Sequence, residues 1–135
     1  MRTTLIVETT GPGLFEITAA VDAALPPRDG FATLFVRHTS ASLTVQENHD
    51  PEVLLDLQGW MERMVPSGDH PSMGWLTHTY EGPDDMPGHI RAALLPVSLH
   101  LPVRAGRLDL GRWQGVFLWE HRTRPHRREV VVGMA

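Results

Sequence analysis

The chain contains neither cysteine nor lysine among its 135 residues, and each absence excludes a class of chemistry. Without cysteine, the protein has no disulfides, no thiolate nucleophile and no cysteine-ligated zinc site. Without lysine, it forms no Schiff base and has no P-loop lysine. All 12 basic residues are arginine, so a phosphate group must be bound by guanidinium or backbone N–H groups.

Long apolar runs are also missing. No stretch approaches the roughly 20 apolar residues that a membrane span needs, so no membrane partner is expected. Residues 1–10 lack the apolar segment and cleavage site of a secreted protein, which predicts a cytoplasmic location. The formal net charge of −4 argues against nucleic acid as a partner. The length and the 41% hydrophobic content predict one globular domain over residues 1–135.

The hydrophobic pattern predicts about seven or eight strands interleaved with two or three helices. The later strands lack intervening helices, which favours an α+β fold, a compact and mostly antiparallel β-sandwich. Asp50 and Asp85 are predicted N-caps of two helices, and the apolar spacing in 14–25 predicts a third. The main predicted strands cover 3–9, 31–39, 42–48, 75–82, 97–103, 116–121 and 128–134.

Eight histidines are the most informative residues in the chain. His78 lies on a predicted strand, and His89 lies in a predicted first helical turn, where it can face the same point as Asp85. Two imidazoles and a carboxylate with an open position suit a divalent metal. The alternative is one surface histidine and one capping histidine, since the positive potential at a helix N-terminus favours anions.

His38 and Glu47 lie near the two ends of a predicted core strand. A histidine and a carboxylate are not expected in such a strand unless they also line a site. In a tight hairpin over 33–47 they would be too far apart to touch. They therefore serve two parts of one wide cleft, or the segment is not a simple hairpin. Ser40 beside His38 raises the possibility of a Ser–His nucleophile, although the strand-to-helix elbow of hydrolases is absent.

Two further segments are candidate ligand contacts. The glycines of "LGRWQG" (110–115) bracket Trp113 and Gln114, which is typical of a ligand-contacting loop or of a bulge with a packed tryptophan. The arginines of "WEHRTRPHRR" (119–128) are typical of an anion site or of a solvated basic segment.

Four separated segments together resemble the YjbQ family, also called the secondary thiamine-phosphate synthase family. These are "HTSASLTVQENHDPEVLLDL", "THTYEGPDDMPGHIRAALL", "SLHLPVRAGRLDLGRWQGVFLWEHR" and "RREVVV". The resemblance covers nearly the whole chain. It implies a sandwich-like α+β fold, a homotrimer, and a pocket between subunits that gathers the family's histidines and acidic residues.

Carried over position by position, the resemblance implies three groups of site residues. The implied catalytic residues are His38, Glu47, His78 and His89. The implied substrate-binding residues are Ser40, Asn48, Trp113, Gln114 and Arg122. The implied ligands of a divalent metal (Zn, Mn or Mg) are His78, Asp85 and His89. Other matching positions are Thr39, Asp50, Ser98 and Glu120.

The activity implied by the resemblance joins a thiazole phosphate to a pyrimidine-methyl pyrophosphate and releases pyrophosphate. This chemistry needs a divalent metal and positive groups on the departing pyrophosphate, for which Arg91, Arg122 or another arginine is available. Two alternatives stay open: a metal-dependent hydrolase of a phosphate or other ester, and a non-catalytic module that binds a small anion or a metal.

Overall fold

The computed structural model describes all 135 residues, which form eight strands, three α-helices and one short 3-10 helix. The strands are β1 (Arg2–Glu8), β2 (Gly13–Glu16), β3 (Gly30–Val36), β4 (Ala41–Glu47), β5 (Ser98–Arg104), β6 (Arg107–Leu108), β7 (Gln114–Glu120) and β8 (Arg127–Met134). The helices are α1 (Thr18–Ala24), α2 (Pro51–Met64) and α3 (Asp85–Leu94), with the 3-10 helix at Pro71–Met73.

The strands form two antiparallel sheets that share one core. The five-stranded sheet has the order β1-β8-β3-β5-β6, and the three-stranded sheet has the order β2-β7-β4. Strand alternation produces the core, since Ala32, Leu34 and Val36 of β3 are buried while the residues between them are exposed. Leu43 of β4 and Leu118 of β7 meet them from the other sheet. The predicted α+β, mostly antiparallel sandwich is confirmed.

A second apolar layer lies on the outer side of the three-stranded sheet. Trp119 of β7 packs there with Met61 of α2 and with Val65, the residue after α2, and its indole N–H donates to Gln58 Oε1 at 2.7 Å. The predicted N-cap of α2 is confirmed, because the Asp50 carboxylate accepts from the Glu52 N–H at 2.9 Å. This layer holds the 65–84 connection and α3 against the end of β7. The longest helix has 14 residues, and no helix is long and apolar enough to span a membrane.

Three local predictions are wrong. The apolar spacing of 14–25 fits a helix, yet Gly13–Glu16 is a strand because its backbone pairs with β7, and only Thr18–Ala24 is helical. Residues 75–82 are a loop because no strand lies beside them, so His78 is held by a loop. Asp84 occupies the N-cap position of α3 and Asp85 the first helical position, and the Asp84 side chain makes no capping bond.

The segment between β3 and β4 crosses from one sheet to the other. β3 pairs with β5 and β8, whereas β4 pairs with β7, so residues 33–47 do not form a hairpin. His38 and Ser40 lie in this crossover. The polar residues at this end of β4 therefore mark a change of sheet.

A buried ion pair joins the two sheets near this crossover. The fully buried carboxylate of Glu120, on β7, is paired with the buried guanidinium of Arg128, on β8. The Thr9 hydroxyl donates to Glu120 Oε1 at 2.7 Å, and Arg128 Nη2 donates to Ser40 Oγ at 3.0 Å. Both charges are thus held by groups from two further segments, which is the condition for a buried pair to be tolerated.

Arg128→Met is expected to lower the free energy of unfolding by about 3–5 kcal/mol, because it leaves the Glu120 charge buried and unpaired. The matched control is Arg127→Met, whose partner Glu8 lies 3.9 Å away on an exposed surface. That change is expected to cost less than about 1 kcal/mol. Urea unfolding of the three proteins measures both costs, and equal costs would contradict the assignment.

Candidate functional site

A cluster of two histidines and one carboxylate lies where the 75–84 loop enters α3. The His78 Nε2–H donates to Asp85 Oδ2 at 2.7 Å, and His89 Nε2 lies 3.5 Å from the same oxygen. His89 reaches Asp85 because it follows it by one helical turn. The ligand atoms of the three residues lie within 4.8 Å of one another. The predicted meeting of these three side chains is therefore present.

Arg122 binds two neighbouring carboxylates at the start of α3, those of Asp84 and Asp85. Its Nη1 donates to Asp85 Oδ1 at 3.0 Å, and its Nε donates to Asp84 Oδ2 at 2.8 Å. The Thr123 N–H and hydroxyl also donate to Asp84 Oδ2, at 3.0 and 3.1 Å. Asp85 is thus oriented with one oxygen on Arg122 and the other on the histidines.

The position of Arg122 is set by the buried carboxylate between the sheets. Glu120 Oε2 accepts from the backbone N–H groups of His121 and Arg122, each at 3.1 Å. These bonds shape the turn that follows β7 and aim Arg122 at α3. Gly88 of α3 lies beside this turn, since a Cβ added there would be in ordinary van der Waals contact, 3.5 Å from Arg122 Cδ and 3.6 Å from Ser40 Cβ.

The cluster carries a stable negative charge on Asp85. Burial raises the pKa of Asp85, but the hydrogen bond from His78 and the charges of His89 and Arg122 outweigh burial and hold this pKa below its usual range. Burial likewise opposes ionisation of Asp84, yet its bonds to Arg122 and Thr123 keep the pKa of Asp84 well below its usual range. Both carboxylates are ionised at neutral pH.

The donor set fits a divalent metal. Ligand atoms around a tetrahedral zinc ion lie about 3.3 Å apart, given bonds of about 2.0–2.1 Å. The separations from Asp85 Oδ2 to the two histidine nitrogens, 2.7 and 3.5 Å, lie on either side of this value. Glu81 Oε2 lies 3.7 Å from His78 Nε2 and adds an acidic group at the rim. Without a metal, the same contacts form a His–Asp pair suited to proton transfer.

A cavity of about 330 Å³ opens beside the cluster. Its wall consists of Gly68, Asp69, Leu76, His78, Thr79, Gly82, Pro83, Met86 and Pro87. Tyr80 stands at the rim with its side chain 80% exposed and its ring centroid 4.8 Å from that of His78. A small molecule in this cavity can therefore contact His78.

A second cavity of about 240 Å³ lies on the other side of Pro87. The buried side chains of Arg91 and His121 border it, and each has a nitrogen without a hydrogen-bond partner. Burial lowers the pKa of His121 to about 3, with the charge of Arg91 adding to the effect, so His121 is neutral. The sequence prediction did not include His121, because nothing in a strand-end histidine signals burial.

Four predicted site residues lie at the opposite end of the three-stranded sheet. Glu47 pairs with Gln114, whereas Ala41 pairs with Glu120 beside Arg122. Six residues of strand separate these ends, which is about 20 Å. Within one chain the group of Glu47, Asn48, Trp113 and Gln114 is therefore remote from the histidine cluster.

This remote group forms its own polar surface. Asn48 Nδ2 donates to Glu16 Oε2 at 3.1 Å, and a Cβ at Gly115 would lie 2.6 Å from the same oxygen. Trp113 lies under the Arg112 guanidinium, 4.6 Å from the ring centroid, and 4.6 Å from the His49 ring. The "GRWQG" loop thus exposes an aromatic ring flanked by cationic or titratable groups.

His38 and Ser40 belong to the crossover and do not form a Ser–His pair in this structure. His38 Nε2 accepts from the Glu129 N–H at 2.8 Å, and burial together with the Arg128 charge lowers the pKa of His38. The Ser40 hydroxyl oxygen accepts from Arg128 instead. The Ser40 carbonyl oxygen accepts from the His121 N–H at 3.2 Å, so Ser40 supports the turn that carries Arg122, whereas His38 is bound to β8.

Comparison with known proteins gives consistent matches. The sequence model of the family described as UPF0047 protein YjbQ-like matches residues 3–135. The chain is 49% identical over 131 residues to a UPF0047 protein of Synechocystis sp., covering 95% of this chain and 86% of that one. It is 45% identical over 116 residues to the YjbQ protein of Salmonella typhimurium, covering 86% and 80%.

Solved structures share this fold. A conserved hypothetical protein from Thermus thermophilus superimposes with a TM-score of 0.87 at 40% identity, covering 98% of this chain and 99% of that one. An uncharacterised protein of the YjbQ family from Clostridium acetobutylicum gives a TM-score of 0.80 at 29% identity, covering 100% and 99%.

Stability is expected to fall as the pH falls below about 6.5, because the unfolded chain then protonates at His121 while the folded chain does not. The loss continues to the folded pKa of about 3. His121 contributes a slope of up to about 1.4 kcal/mol per pH unit, and His38 adds to it with the same sign. Urea unfolding at about pH 7 and about pH 5 measures the slope. His121→Gln should reduce it, and an unchanged slope would contradict the assignment.

Proposed function

This chain belongs to the YjbQ-like UPF0047 family, and we propose that it is a metal-dependent enzyme that acts on a small phosphorylated substrate. One observation carries the proposal. The ligand atoms of His78, Asp85 and His89 lie within 4.8 Å of one another, His78 lines an open cavity, and Arg122 holds the ionised Asp85. Three protein ligands with a position left over is the arrangement of a catalytic metal site, whereas a structural site is closed by four.

The proposed metal ligands are His78 Nε2, Asp85 Oδ2 and His89 Nε2. Two imidazoles and one carboxylate favour Zn or Mn over Mg, which prefers oxygen ligands. When bound, such a metal polarises a phosphoryl oxygen or lowers the pKa of a bound water. Arg122 keeps Asp85 Oδ1 occupied at 3.0 Å, so Oδ2 is the oxygen that stays directed at the histidines.

Chain residues supply the remaining roles. His78 is 32% exposed on its side chain, and in the metal-free protein its hydrogen bond to Asp85 suits it to accept or donate a proton at the cavity wall; with a metal bound, the same Nε2 is a ligand instead. Tyr80, at the rim, offers an exposed ring on which a flat substrate ring can stack. The narrower reaction we propose is the joining of a thiazole phosphate to a pyrimidine-methyl pyrophosphate with release of pyrophosphate.

We further propose that the enzyme is a homotrimer whose site is completed across subunits. Glu47, Asn48, Trp113 and Gln114 are about 20 Å from the histidine cluster of their own chain, so they can join such a cluster only in a neighbour. The outer face of the five-stranded sheet supports assembly. It leaves Ile6, Phe31 and Phe35 exposed by 42%, 55% and 45%.

Metal analysis after exhaustive dialysis tests the cluster. Wild-type protein is expected to hold about one equivalent of metal per chain, and His78→Ala and His89→Ala are expected to lose it while remaining folded, because each removes one of three ligands. His70→Ala, at an exposed histidine outside the cluster, is the matched control. If the wild-type protein takes up none of Zn, Mn or Mg, the metal proposal is wrong.

A substrate screen distinguishes the reactions. With the thiazole and pyrimidine substrates together, the proposed synthase releases pyrophosphate only when both are present. A hydrolase, the second candidate, would release phosphate from one ester alone. The His78–Asp85 hydrogen bond of 2.7 Å favours that candidate as a route to an activated water.

Mixing two inactive variants tests the shared site. His89→Ala and Glu47→Gln subunits, unfolded and refolded together, are expected to recover about a quarter of wild-type activity. Equal mixing leaves one intact site in each mixed trimer. Each variant refolded alone is the control. Recovery of no activity, or a monomer by analytical ultracentrifugation, would contradict the assembly and leave the metal cluster untouched.

A further inference from the structure

The cavity behind α3 has an unusual lining for its size of about 240 Å³. It contains no hydrophobic side chain apart from two prolines, and it is separated from the histidine-cluster cavity by Pro87. Its wall is formed by Pro12, Glu62, Ser67, Asp84, Pro87, Arg91, His121 and Thr123. Polar groups that face a cavity of this kind need a partner, whether water or a ligand.

Arg91 is the buried charge that lacks an ion-pair partner. It is only 8% exposed, and its Nη2 donates to the Val65 carbonyl oxygen at 2.7 Å. Its Nε–H is buried without a partner, and no carboxylate lies within 4.0 Å. The other buried charged side chains, Asp85, Glu120 and Arg128, are all paired. An arginine is seldom buried in this way unless an anion meets it.

His121 adds a second free group from the opposite wall. It is 1% exposed, and its Nε2 lies 2.9 Å from the hydroxyl of Ser42, which is also buried. If the Ser42 hydroxyl donates to Nε2, both groups are satisfied and the ring hydrogen lies on Nδ1. Nδ1 has no partner in the protein. Both free N–H groups thus belong to residues of the cavity wall, one on α3 and one in the turn after β7.

Glu62 and Asp84 also line the cavity, and their charges partly offset the burial that lowers the pKa of Arg91, but neither forms an ion pair with it. Asp84 is neutralised by Arg122 and by two bonds from Thr123. Glu62 is exposed and accepts a hydrogen bond from Gln58 at 3.2 Å. Its negative charge would repel an anion bound in the cavity. We propose that this cavity is a binding site for a phosphate group, held by the Arg91 guanidinium and the His121 Nδ1–H.

A phosphate group suits these donors because its several oxygens can accept bonds from two walls at once, whereas a carboxylate has two coplanar oxygens. The site is distinct from the metal cluster and does not depend on it. A phosphorylated substrate can reach it, as can free inorganic phosphate. Binding is therefore measurable with inorganic phosphate alone.

The experiment is calorimetric titration of metal-free protein with inorganic phosphate in EDTA. Arg91→Gln keeps a donor for the Val65 carbonyl but removes the charge, and it is expected to weaken phosphate binding about ten- to a hundredfold. Arg63→Gln, the same change at an exposed arginine of α2, is the control and should leave the dissociation constant unchanged. Glu62→Gln removes the like charge and should tighten binding several-fold.

Two further measurements separate the possible results. Without phosphate, the Tm of Arg91→Gln should equal or exceed that of wild type, because an unpaired buried charge is gone. With phosphate, the Tm of wild type and of His78→Ala should rise, and that of Arg91→Gln should not. Absence of phosphate binding by wild type, or equal binding by Arg91→Gln, would overturn the proposal. Loss of binding in His78→Ala would assign the phosphate to the metal cluster instead.

Discussion

The buried pair of Glu120 and Arg128 is the interaction on which the site depends. It lies between the two sheets, and it joins the end of β7 to β8 with Thr9 and Ser40 as further partners. Its contribution to stability is the smaller part of its importance, since a buried pair often costs as much as it contributes. Its larger effect is geometric, because the second Glu120 oxygen accepts two backbone N–H groups and so directs the turn that carries Arg122.

Arg122 in turn positions the residues of the candidate site. Arg122 holds Asp84 and Asp85, and Asp85 in turn holds His78 from a loop that has no strand beside it. The same helix start separates two cavities, one with His78 on its wall and one with Arg91. The proposed metal site and the proposed phosphate site thus lie on two sides of the start of α3, and the fold sets the distance between them.

The sequence alone was sufficient for the sandwich, the helix after Asp50 and the meeting of His78, Asp85 and His89. The first two follow from local physics, since alternation buries one face of a strand and a carboxylate caps a helix where backbone N–H groups are free. Asp85 and His89 were predictable because one helical turn separates them. His78 was placed beside them on a predicted strand, although its spacing from His89 carries no such signal, and the structure holds it in a loop instead.

Tertiary structure decided the rest, because the deciding contacts join residues far apart in the chain. Residues 14–16 have helical spacing but become a strand, since β7 offers them hydrogen bonds that outweigh a marginal local preference. The crossover at His38 and the burial of His121 depend on which sheet each strand joins. The burial of Arg91 with an Nε–H that has no partner is likewise a result of packing, which the periodicity of a sequence does not reveal.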